Sequence, residues 1–205
     1  MIGCAVYFYE PKIGVLQANC KCASLWAERE LREKKIDNPL KVLRKTGCNF
    51  YSTYRRPRNW YISGYMYWCE NHQYSLSFTE HLLHITKLKA EFNKLEGFLV
   101  NHSTPITKER PYPKIRRPDM YDYHTWIDPW LATQMMLGEK GRNIKINWID
   151  TDNTSALNKL VKVFKGATVN TSKSNVSSGN KPIETKKTKA LINQLDNWSK
   201  NINTV

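Results

Sequence analysis

His81 and His84 stand one helical turn apart, a spacing at which two imidazoles could share a metal ion, whereas His72, His102 and His124 are scattered. A metal centre needs further ligands at set offsets, and no His-Glu-x-x-His, Cys-x-x-Cys or HNH-like run supplies them. The acids of residues 101 to 157 (Glu109, Asp119, Asp122, Asp128, Glu139, Asp150 and Asp152) stand singly, so no pair is set out to hold the two ions of a phosphodiester-cleaving site. Cys48 and Cys69 lack a neighbouring base in the sequence that would activate a thiolate. No glycine-rich loop cradles phosphates. The expectation is a protein with no enzymatic activity, no cofactor and no metal.

A different chemistry, the pairing of cations with phosphates, is better supplied. Lys and Arg number 32 against 18 Asp and Glu, a formal charge of +14 at pH 7, and such an excess speaks for a polyanionic partner. Half of it, +7, falls in residues 158 to 205, where 9 Lys face Glu184 and Asp196. A tail of that kind can hold phosphates without reading bases. Nucleic acid is favoured over a membrane because the sequence has neither a long apolar span nor a strongly amphipathic basic helix.

The candidate DNA-binding residues fall into four groups. Arg55, Arg56 and Arg58 interrupt an aromatic string running from Phe50 to Tyr74, a combination suited to holding a nucleic-acid backbone. Lys87 and Lys94 lie off the apolar stripe of a helix. Lys108, Arg110, Lys114, Arg116 and Arg117 occupy a proline-rich arm that could enter a minor groove or brace the backbone. Lys140, Arg142, Asn143 and Lys145 come last, and Arg142, Asn143 and Lys145 are the candidates for base-edge contact. Plainer readings stay open for each group: aromatics that fill a core, and charged runs that face water.

The elements that must position these residues follow from pattern. Ile2 to Tyr9 reads as a first strand, Pro11 to Gly14 as a turn, and Val15-Leu16 as the return. Ser24 to Lys35 predicts a helix with Ser24 as its cap; Asn38-Pro39 breaks it, and Leu40 to Lys45 forms another helical turn or two ending at Gly47. Alternation over Trp60 to Trp68 predicts a strand or hairpin bending near Gly64. Residues 75 to 104 repeat Leu82, Leu83, Ile85, Leu88, Phe92, Leu95, Phe98 and Leu99 at helical spacing, with Ser77 or Thr79 as cap. Thr125 to Ile127 meets Asp128-Pro129, a pair suited to opening a helix that runs to Leu137. After Gly138 and Gly141, Ile144, Trp148 and Ile149 predict a second, shorter helix. Ala156 to Phe164 predicts a helix, Thr168 to Lys189 a flexible linker, and Leu191 to Trp198 a small amphipathic patch able to dock on the body or on another copy.

The order of a Trp-centred strand, a helix opened by Asp128-Pro129 and a second helix closing on Trp148-Ile149 resembles the C-terminal half of the KilA-N domain of phages and large DNA viruses. Phe92 to Thr104 is similar to the central helix of that family. The resemblance covers roughly residues 75 to 150, about a third of the chain. It implies a compact α+β DNA-binding module of short helices with a small sheet or hairpin. Gly138-Glu-Lys-Gly141 and the basic insertion from Lys108 to Asp122 depart from the family pattern, which affects the register of DNA contacts. Tyr7, Tyr9 and Gly14 bear a partial likeness to a GIY-YIG nuclease, but its catalytic Arg and Glu have no counterparts at the proper spacing.

The expected organisation is an N-terminal α+β segment (1–74), a KilA-N-like domain (75–150), and a short helix, basic linker and amphipathic patch (151–205). Five Cys, an odd number without a signal peptide, point to reduced thiols in a cytoplasmic, DNA-associated protein. The expected function is sequence-specific binding of double-stranded DNA by a phage, satellite or viral repressor, acting by operator occupancy, with a homodimer as the expected form for reading a short operator. A divergent homing-endonuclease-type nuclease and a structural RNA-binding protein are the alternatives.

Overall fold

In the computed structural model, residues 5–19, 22, 24–71, 75–87, 133, 144–167, 180–196 and 199 are described. Val6–Glu10 (β1) and Gly14–Ala18 (β2) pair antiparallel across the Pro11–Ile13 turn, which the Ile13 amide closes onto the Glu10 carbonyl at 3.0 Å. Lys35–Ile36 (β3) extends the sheet beyond β1. On the other side Phe50–Tyr54 (β4) runs parallel to β2, and Ile146–Asp150 (β5) parallel to β4. The order is β3-β1-β2-β4-β5, antiparallel in one half and parallel in the other.

Alternation along the strands sends side chains to two apolar layers. Phe8, Leu16, Ala18 and Ile149 pack beneath Ser24–Glu30 (α1) and Thr154–Lys165 (α5), against Trp26, Ala27, Leu157, Val161 and Phe164. Val15 and Phe50 point the other way, onto Leu43 of Pro39–Thr46 (α2). The fold is α+β, with the sheet covered on both faces.

Capping decides where several helices begin and end. Asn38 accepts the Lys41 amide at 3.0 Å, Pro39 takes the first helical position, and Gly47 ends α2 in the left-handed region at φ 61°. Asn153 and Gly166 frame α5 in the same way. Ser77 and Glu80 exchange bonds ahead of the helical residues 78–87 (α4), so the Ser77 cap is present. Gly14 adopts φ 133° with its α-carbon pressed against the Asn49 carbonyl, where a β-carbon would collide. That close approach lets Val15 donate to the Asn49 oxygen at 2.9 Å and start the parallel ladder.

Four expectations change. The second short helix over Ile144 to Ile149 is the edge strand β5: Trp148 and Ile149 are both buried because they serve opposite faces, and a doubly buried strand has no period that separates it from a helix. The expected pair of helices is therefore not a pair, and one member of the KilA-N-like order is a strand. Trp60 to Trp68 is helical, within Pro57–Asn71 (α3). Aromatic β-propensity loses there to tertiary packing, since Trp60, Tyr61, Ile62 and Met66 bury more than one side of the helix. The helix from Ser24 stops at Glu30, and Arg32–Lys34 forms a 3-10 turn into β3. Residues 186 to 189, assigned to a linker, open Lys186–Leu195 (α6), capped by Thr185 and Thr188.

The amphipathic patch docks on the body: Leu191, Ile192 and Leu195 are buried, and the Tyr61 hydroxyl donates to the Leu195 carbonyl at 3.5 Å. Tyr65 meets Phe78 at 5.1 Å between ring centres, joining α3 to α4. Because β5 and α5 complete the sheet and core begun by residues 5–54, the boundaries at 74/75 and 150/151 run through shared packing. Among the described residues no helix is long and apolar enough to cross a membrane.

Candidate functional site

Open sheets with parallel strands place ligands outside the carboxyl ends of those strands. Here β2, β4 and β5 all end on one side, and their last residues build a polar layer under an ionic surface.

The polar layer has a hydrogen-bond orientation that the backbone dictates. Asn19 donates through Nδ2 to the Thr53 carbonyl at 2.6 Å and to Ser52 Oγ at 3.0 Å, so its Oδ1 must face Gln17. The Gln17 atom 2.6 Å from that oxygen must then be its nitrogen, which also reaches Thr133 Oγ1 at 3.2 Å. Ser52 and Thr133 hydroxyls lie 2.9 Å apart, and the Asn19 amide donates to Thr53 Oγ1 at 2.8 Å. The chain of assignments leaves Gln17 Oε1 buried without a partner among the described residues. Thr133 is the described member of the helix expected from Pro129, and it is fully buried against the sheet.

Above this layer Arg55 and Arg56 leave β4 while Asp150 and Asp152 leave β5. Arg55 Nε and Asp152 Oδ1 lie 3.2 Å apart, as do Arg56 Nε and Asp150 Oδ2. The Arg56 amide donates to Asp152 Oδ2 at 3.1 Å, and Thr151 donates twice to the Tyr54 carbonyl, through amide and hydroxyl, at 2.9 Å each. Arg58 grips Glu184 with two donors, Nε at 2.8 Å and Nη2 closer still. That fork holds the Glu184 carboxyl below its usual range and raises the guanidinium.

Arg55, Arg56 and Arg58 follow β4 in close succession along the chain, and each has a carboxylate partner from a distant part of it. Sequence reasoning missed Asp150, Asp152 and Glu184 in this role, because the pairs join residues about a hundred positions apart. Lys87 is exposed at the end of the described part of α4, and Lys145 is exposed just before β5, at the opposite end of the sheet. Lys94, Lys108, Arg110, Lys114, Arg116, Arg117, Lys140, Arg142 and Asn143 lie outside the described residues.

The other reactive types are restrained by burial. Cys22 is buried, and burial pushes its thiol well up, opposed by Arg55. The Tyr54 hydroxyl is pushed up to about 12, first by burial and then by Asp150, and its ring meets Trp148 edge-on at 6.2 Å. His81 is buried, its pKa lowered to about 3 by burial and by His84. Among the described residues no group of three or more His, Cys, Asp or Glu side chains is placed to hold a metal ion.

Comparison with protein-family models, with curated proteins and with solved structures finds no match to this chain.

Proposed function

We propose that this chain binds double-stranded DNA, with phosphate contacts supplying most of the affinity. The carrying observation is a charge excess that the fold leaves exposed. Glu10, Glu28, Glu30, Asp150, Asp152 and Glu184 each have a basic partner. Lys87, Lys145 and the cations of α2 are exposed and form no ion pair among the described residues, while exposed Lys12 shares Glu10 with Lys34. Surface cations of this kind exchange their counterions for phosphates and bind duplex with a strong salt dependence.

Base preference, in this reading, comes from Arg142 and Asn143, which immediately precede Ile144, and no longer from a second helix. Occupancy of a preferred site would make the protein a repressor or regulator. Selection of bound fragments from a random DNA pool tests both parts. Enrichment of a shared site supports the regulator, uniform recovery restricts the protein to non-specific binding, and no recovery at low salt removes the DNA reading.

A further inference from the structure

We infer that the surface engaging the phosphate backbone of duplex DNA is the amino-terminal end of the parallel strands, built on the outer face of α2, and not the arginine cluster at their carboxyl ends. This rests on the DNA reading above and specifies its face.

Three segments meet at that end. The Val15 amide donates to the Asn49 carbonyl at 2.9 Å, and Asn49 Nδ2 reaches the Ile13 carbonyl at 3.5 Å. The turn carrying Lys12 therefore lies against the connection leaving α2. In the parallel register Phe50 pairs with Ile146, so Lys145 is level with Asn49. Arg44 and Lys45 occupy the last turn of α2, just before Gly47, and Lys41 lies one turn earlier on the same face. Lys12, Lys41, Arg44, Lys45 and Lys145 are all exposed. Glu10, the acid next to the turn, is engaged by Lys34 at 2.7 Å and also attracts Lys12 and accepts its backbone amide, and Asp37 precedes the cap at the far end of α2.

The stripe on α2 is unfavourable for the helix itself. Lys41 and Lys45, at i and i+4, repel one another, as do Lys41 and Arg44 at i and i+3. The macrodipole welcomes Arg44 and Lys45 in the last turn but disfavours Lys41 in the first, where no acid balances it. Helix stability accounts for Arg44 and Lys45 but not for Lys41 on the same face, whereas an external row of phosphates relieves both cation repulsions and offsets the dipole at Lys41. The carboxyl-end arginines are in the reverse position, already neutralised one for one.

The test compares two triple variants that lose the same charge, Lys41→Gln/Arg44→Gln/Lys45→Gln and Lys159→Gln/Lys162→Gln/Lys187→Gln. Binding to a fluorescein-labelled duplex of mixed sequence is titrated over a salt series, with structured RNA as competitor. The α2 variant should lose at least about tenfold in affinity at low salt, and its log K against log salt slope should become shallower by about 2 to 3 units. Far-ultraviolet circular dichroism should show both variants folded, since every substituted side chain is exposed. Equal losses in the two variants would overturn the assignment, leaving net charge as the explanation while DNA binding stands. Preferential displacement by RNA would overturn the choice of duplex. Wild-type protein that ignores duplex in dilute buffer would remove the DNA reading itself.

Discussion

Asn19 is the residue on which the polar layer turns, because its one amide group satisfies the Thr53 carbonyl, Ser52 and Gln17 together. Asn19→Ala removes the side-chain donor to the buried Thr53 carbonyl and leaves Ser52 and Gln17 with Thr133 alone, and should lower stability by about 1–3 kcal/mol in urea unfolding. A loss below about 1 kcal/mol would mean that water replaces the side chain easily. His81 gives a pH signature. Its folded pKa of about 3 lies below the unfolded value near 6.5. Between the two, the unfolded chain holds a proton that the folded one refuses, so stability is complete above about pH 6.5 and falls as pH drops toward 3, by at most about 1.4 kcal/mol per pH unit. Urea midpoints between pH 6.5 and 5 should show this decline in wild type and a flatter course in His81→Leu. Equal slopes in the two proteins would show that another group controls the transition. Neither residue's role was legible in the sequence. Gln17, Asn19, Ser52 and Thr53 are ordinary strand residues until parallel pairing stacks them beneath Thr133, and His81 read as one of two histidines a turn apart until burial separated their environments.

Elements whose ends carry their own chemistry could be read from the sequence directly. Asn38-Pro39 and Gly47 bracket α2, and Ser77 with Glu80 opens α4, since a cap is a local bond between near neighbours. The elements misread were those decided by distant partners. Residues 57–71 are rich in β-formers yet form a helix packed against α4 and α6, and Ile146–Asp150 is extended because Phe50–Tyr54 offers it an edge. The sheet tolerates little change where β2 meets the connection before β4. Gly14→Ala forces a left-handed φ on a side chain and drives its β-carbon into the Asn49 carbonyl. The expected cost is at least about 2 kcal/mol, read as a lowered thermal midpoint; Gly47→Ala, where the added carbon meets no atom within 4 Å beyond its adjoining backbone, should cost less. Equal costs at the two glycines would leave backbone conformation, and not the collision, as the sole constraint at Gly14.

For the whole molecule, the arrangement of charge matters more than its total. Acids are consumed in contacts that tie distant segments together: Asp150 and Asp152 hold the departure of β4, Glu184 fixes the approach to α6, and Glu30 bonds Lys165 at 2.9 Å between α1 and α5. The net charge of +14 raises the expectation of a polyanionic partner, but only the fold separates cations committed to ion pairs from those that are not. If about four phosphates are engaged, affinity for duplex should fall about a hundredfold between roughly 50 and 200 mM salt. A fall of less than about threefold in anisotropy titrations would contradict binding through phosphates. The sheet also fixes an order of assembly. β2 can meet β4 as soon as residue 54 exists, but the far edge of β4 waits for residues 146 to 150. A ribosome making this chain must therefore add more than ninety residues while that edge stays bare, so the nascent protein is most exposed to clumping in mid-synthesis, and the arrival of β5 ends the danger.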